Sequence, residues 1–184
     1  MTDKSKALAE LRESISQLDL PLKATATNLV FGKGNPNTDI LFIGEAPGKF
    51  EDLQGIPFVG TAGKLLDEML NKINLTINDI YIANILKYRP PNNREPQPDE
   101  ISAHTPFLVE QIKIIKPKII VTLQLRNKIY SRRLQRRTDE QCSRYNTIAW
   151  QGKAHHHRRN RIPCDADVSS CGADIRPLIA SNSR

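Results

Sequence analysis

The chain has 184 residues, with 27 Lys and Arg against 20 Asp and Glu, 39% hydrophobic and 5% aromatic residues, and a mean hydropathy of −0.47. That length suits a single domain able to bury a core, and no apolar run approaches the roughly 18 residues of a membrane span. Cys142, Cys164 and Cys171 form no C-x-x-C pair, which argues against a zinc ribbon or a disulfide framework. Met1 leads into a polar stretch without an apolar h-region, so a cytoplasmic protein is expected.

Residues 4–17 carry Leu8, Leu11 and Ile15 at spacings of three and four, the pattern of one amphipathic helix ending near Leu18. Asp39–Gly44 is a short apolar run stopped by glycine, and Ile80–Leu86 and Lys118–Leu123 are two more; all three read as buried strands. Helical periodicity fills the intervals. Residues 62–73 present Leu65, Leu66, Met69, Leu70 and Ile73, and residues 98–115 present Ile101, Phe107, Leu108, Ile112 and Ile115. Pro98 suits a first helical turn, where no N–H is needed, and Asp99 and Glu100 complement the positive end of the dipole. Uniformly apolar strands alternating with helices imply a three-layer α/β/α sandwich around a mostly parallel sheet. In such sheets ligands bind beyond the carboxyl ends of the strands, which directs attention to the loops after Ile43, Leu86 and Leu123.

Charge divides the chain after Leu123. The first part is net −1 and the last 61 residues are net +8, with 11 of the 14 arginines, all the cysteines, Trp150 and three of the four histidines. A basic excess points to nucleic acid only where it sits on a folded face. We therefore expect a core over 1–123 and a basic, poorly ordered tail over 124–184.

Three motifs carry chemistry. Gly44-Glu-Ala-Pro-Gly48 follows the first strand, Gly55-Ile-Pro-Phe-Val-Gly-Thr-Ala-Gly63 opens a helix, and Asn84-Ile-Leu-Lys-Tyr-Arg-Pro-Pro-Asn-Asn-Arg94 follows the second strand. Each alone is a weak signal. Together, over about Thr25 to Leu123, they resemble the uracil-DNA glycosylase superfamily and most of all its type-4 branch. The resemblance implies a monomeric enzyme of base-excision repair that hydrolyses the N-glycosidic bond of deoxyuridine in DNA, after turning the base out of the stack into a closed pocket.

It also implies roles. Gly44, Ala46, Phe58 and Asn84 would bind the base, with Phe58 stacking on uracil. A core phenylalanine between two turns would look the same. Asn84 offers one carbonyl and one amide, complementary to uracil N3–H and O4 and opposite in polarity to cytosine; a strand-end asparagine capping a loop is the plainer reading. Glu45, or Glu51 in the same loop, would hold water beneath the sugar carbon and stabilise positive charge developing on it. Lys87, Arg89, Asn93 and Arg94 would grip DNA phosphates, although basic loop residues are as often plain surface.

Two departures stand out. The type-4 branch holds an iron-sulfur cluster on four cysteines, and the matching positions here are Gln17, Leu20, Tyr88 and His104, so no cluster or other metal cofactor is expected. Tyr88 and His104 then read as packing residues, with a water-mediated contact between them as an alternative. The family also closes with a His-Pro loop whose histidine stabilises the departing uracil anion. This chain contains no His-Pro pair, and His155, His156 and His157 cannot all point to one site from a strand. Activity is accordingly expected to be weak or absent, along with loss of the last core strand. The alternative is an inactive relative that only binds DNA, through the Arg89–Arg94 loop and Arg132–Arg137.

The genetic code supplies an account of the tail. Codons permitted for Cys164 to Gly172, read one base later, allow the string AMPMYHPA, and those for His155 to Ile162 allow the strand-like ITIEGIA. We expect the segment between about Leu123 and Gly172 to be the product of a shifted reading frame. Sequencing codons 120 to 175 checks this: the shifted frame should spell Y-H-P, and a different string leaves the basic tail as a feature of the protein.

Overall fold

The computed structural model describes residues 2–123 and a strand at 146–150. The elements in chain order are α1 (Asp3–Gln17), β1 (Lys33–Gly34), β2 (Ile40–Gly44), α2 (Lys49–Gln54), α3 (Thr61–Lys72), β3 (Tyr81–Asn84), α4 (Pro98–Ile115), β4 (Ile119–Leu123) and β5 (Asn146–Trp150). The sheet order is β1-β3-β2-β4-β5; only the short β1 runs antiparallel to its neighbour. Among the described residues no helix is long and apolar enough to cross a membrane.

Strand alternation sorts the core into two layers. Leu41, Ile43, Tyr81 and Ala83 face α1 and α4, packing with Leu8, Leu11, Ile15, Leu108, Ile112 and Ile115. Phe42, Ile80 and Ile82 face the other way, onto Leu66 and Leu70 of α3. A sheet with helices on both faces is the three-layer α/β arrangement expected from the alternating pattern.

Helix ends follow local chemistry. Thr2 caps α1 by accepting from the Ser5 N–H, and at α4 Gln97 and Glu100 form a reciprocal capping box behind Pro98. The helices α1, α3 and α4 fall within a residue or two of their periodic patterns. Three elements carry no such pattern. Strand β1 has two residues, and α2 occupies what reads in sequence as loop. Strand β5 lies within the segment read as tail, so the sheet continues past Leu123 and a strand does follow β4. The remainder of 124–184, including the cysteines, the histidine run and Arg132–Arg137, lies outside the described residues.

Candidate active site

The site is built by strand register. In the parallel pair β2/β3, Gly44 stands opposite Asn84, each the last residue of its strand. Beyond them the pairing continues as the Ile85 N–H donates to the Gly44 carbonyl and the Leu86 N–H to the Glu45 carbonyl, each at 3.0 Å. Gly44 must be glycine here: a Cβ would lie 2.3 Å from Asn84 Oδ1 and 2.8 Å from the Phe58 ring. One point on the backbone is thus flanked by both residues assigned to the base. Asn84 is only 2% exposed, and among the described residues its Oδ1 has no hydrogen-bond partner. An orphaned buried acceptor costs about 1–3 kcal/mol, so one retained beside an aromatic ring at the carboxyl edge of a parallel sheet marks a ligand position.

Phe58 is held by three devices. Its φ of 53° is left-handed, a conformation that strains a bulky residue. Glu51, near the start of α2, turns its carboxylate onto the next loop, where Oε1 accepts from the N–H groups of Val59 at 3.0 Å and Gly60 at 2.8 Å. The Lys33 ammonium donates to the Phe58 carbonyl at 3.0 Å. At Gly63 a Cβ would sit 2.0 Å from that carbonyl oxygen, so only glycine lets α3 come this close. Helix α2 is anchored in turn by buried Asp52, whose Oδ1 accepts from the Thr27 N–H at 2.8 Å and the Asn28 N–H at 3.2 Å.

Lys33, Asp52 and Gly63 escape sequence reasoning because their partners lie far along the chain or act by absence of a side chain. Glu51 differs from its sequence reading in place and surroundings: it lies on a helix, with one oxygen committed to two backbone donors. Glu45 follows Gly44 directly and is half-buried, and Ala46 packs against the α1/α4 core.

The basic residues after β3 separate. Lys87 is fully buried, which corrects its assignment to phosphate: its Nζ donates to the Asn84 carbonyl at 2.7 Å and to Gln111 Oε1 at 2.6 Å. Burial draws its pKa down to about 7. Arg94 forms a two-pronged ion pair with Glu100, with Nη1 2.9 Å from Oε2, while that oxygen also accepts the Gln97 N–H. These hydrogen bonds raise the Arg94 pKa and lower that of Glu100. The guanidinium therefore closes the start of α4 before it can serve DNA. Arg89 is half-buried and donates through Nε to Asn93 Oδ1 at 2.7 Å, leaving this pair beside the exposed Pro91-Asn92 tip as the remaining phosphate candidates.

The Uracil DNA glycosylase superfamily matches this sequence over residues 31–165, well over half of the chain. The chain belongs to that superfamily. The matched span, like the sheet, runs beyond Leu123. The chain is 52% identical over 113 residues to the Type-4 uracil-DNA glycosylase of Archaeoglobus fulgidus, covering 61% of this chain and 57% of the relative. It is 56% identical over 98 residues to that of Sulfurisphaera tokodaii, covering 53% and 44%. For the Thermotoga maritima protein of the same name the identity is 52% over 103 residues, covering 56% and 54%. The chain thus spans about half the length of the curated relatives it matches.

The four positions that the resemblance to the type-4 branch equates with cluster cysteines carry side chains that do not fit an iron-sulfur cluster. Gln17 is exposed and donates to Glu13 Oε1, and Leu20 packs against the core. Tyr88 meets His104 edge-on, with ring centroids 6.1 Å apart. His104 has both ring nitrogens engaged: Nδ1 accepts the Lys87 N–H at 3.3 Å, which leaves Nε2–H to donate to the Pro21 carbonyl at 3.1 Å. Burial lowers its pKa, which favours this neutral form. The imidazole ties the segment after α1, the loop after β3 and α4 together.

Two outcomes follow. Glu51→Ala should lower stability by about 1–3 kcal/mol by orphaning two backbone donors, while Glu51→Gln, which keeps an acceptor, should retain most of it; urea denaturation measures both. For Lys87 the folded pKa lies below the unfolded value, so above pH 7 the unfolded chain binds more protons and stability should rise from pH 7 to 9.5. Lys87→Met should abolish that rise, as read from urea midpoints across the range.

Proposed function

We propose that this chain is a uracil-DNA glycosylase of base-excision repair, acting as a monomer in the cytoplasm on DNA that contains deoxyuridine. The observation that carries the reading is the buried Asn84 Oδ1, without a partner among the described residues, beside the Phe58 ring. Oδ1 would accept from uracil N3–H while the Asn84 amide donates to O4. Cytosine, with an acceptor at N3 and donors at N4, would leave both groups opposed by their own kind. Phe58 would cover the base face, an aromatic stacking contact worth about 1–3 kcal/mol.

Bond cleavage would break C1′–N1, with the electron pair leaving on uracil and positive charge building on the sugar. Glu45 is the carboxylate we assign to hold the attacking water and receive its proton as the new C1′–O bond forms; the uracil anion then takes a proton from solvent. Glu51 is assigned to holding the Phe58 loop. Arg89 and Asn93 would bind phosphate, with no sequence choice. A second reading is favoured by the missing His-Pro pair: without a histidine at the leaving group, the chain would bind uracil-containing DNA and cleave it slowly or not at all.

An oligonucleotide with one deoxyuridine separates the readings. Abasic-site formation supports the enzyme, and selective retention without cleavage supports the binder. No preference over the matched deoxycytidine strand overturns both. Phe58→Ala should weaken retention ~10- to 100-fold.

A further inference from the structure

The largest buried polar side chain of the described residues belongs to Lys87, and the phosphate role it has in sequence is closed to it. Its stem turns back beneath its own loop and brings Nζ to the carbonyl of Asn84, three residues earlier. That carbonyl ends β3. Gln111 of α4 gives Nζ its second acceptor, and its amide is oriented by donating through Nε2 to the Phe31 carbonyl at 3.0 Å. The Phe31 ring lies 5.9 Å from Nζ, where its face favours a cation. The lysine backbone is fixed as well, since its N–H donates to His104 Nδ1 and its carbonyl accepts from the Val30 N–H at 2.9 Å.

If this position only filled space, an apolar side chain of the same length would do so without desolvating an amine, a substitution that is often neutral or stabilising. What an apolar side chain cannot do is hold the carbonyl side of the Asn84–Ile85 peptide, whose N–H side donates to the Gly44 carbonyl. The Asn84 side chain leaves from that same residue, so a tilt of this peptide alters where its amide points. A small rotation there would carry Oδ1 away from the Phe58 ring, and nothing else among the described residues holds that oxygen.

We infer that Lys87 is a positioning residue that aims the Asn84 amide and thereby sets the preference for uracil over cytosine. The inference rests on the reading of Asn84 as the base reader. The groups that face Lys87 are the Asn84 carbonyl from β3, Gln111 and His104 from α4, and Phe31 from the segment before β1; no carboxylate is among its hydrogen-bond partners.

The test uses the full chain with Lys87→Met and, separately, Gln111→Leu, which leaves the lysine but removes its second acceptor. NMR of the ligand-free protein reads the Asn84 side-chain amide and the Ile85 N–H, and paired deoxyuridine and deoxycytidine oligonucleotides read the preference. In folded Lys87→Met both Asn84 and Ile85 signals should move, and the uracil-to-cytosine ratio should fall ~10-fold; Gln111→Leu should shift the same signals less. Unmoved Asn84 signals with an unchanged ratio overturn the inference. Should Lys87→Met fail to fold, Gln111→Leu decides alone: the same signals moving supports it, and their staying put overturns it. Wild-type chain with no preference between the oligonucleotides defeats the base-reading assignment, while the Asn84 signals still show whether Lys87 holds that residue.

Discussion

Everything at the site depends on one register. Because β2 and β3 pair in parallel with Gly44 opposite Asn84, a residue without a side chain faces one with a carboxamide at the edge where both strands end. The missing Cβ is what allows Phe58 to close against the same point. A shift by one residue would send Asn84 to the opposite face of the sheet and bring Ile43 to the edge in place of the glycine. The apolar alternation forbids that shift, since Tyr81 and Ala83 would have to exchange layers with Ile82. The burial that folds the sheet therefore also places the Asn84 amide and the Phe58 ring.

Around that register several buried or half-buried polar groups confer rigidity. Glu51, Asp52, Lys33, Lys87 and His104 each bind backbone atoms of a different segment. A left-handed phenylalanine and an orphaned carbonyl oxygen are unfavourable locally, and they persist because the surrounding contacts leave no easy relaxation. His104 does the same: hydrogen bonds of one neutral imidazole join the segment after α1, the loop after β3 and α4.

Much of this was legible beforehand. Period-3.6 apolar spacing placed α1, α3 and α4, since an amphipathic helix writes its buried face into the local order of residues. The three apolar runs placed β2, β3 and β4 for a similar reason. The GEAPG, GIPFVGTAG and N-x-x-K-x-R-P-P-x-N-R motifs contain Gly44, Phe58 and Asn84, which the fold brings to one point at the sheet edge. Short β1 and α2 were not legible: two strand residues and six helical ones show too little periodicity to rise above their surroundings. Nor was β5, embedded in a segment whose composition reads as tail.

Sequence alone determined the order of the longer elements and the layered class, because those follow from local hydrophobic period and turn chemistry. Tertiary structure decided the direction in which the charged side chains turn. Glu51 and Lys87 are both polar residues near a loop, and both would pass for solvent-facing groups by type and spacing. Glu51 instead bonds the following loop and Lys87 the strand before it, because backbone N–H and C=O groups left unpaired at the strand and helix ends are better partners than water once the layers close over them. That choice depends on groups up to 24 residues away, as with Lys87 and Gln111, and only the folded chain brings them within reach.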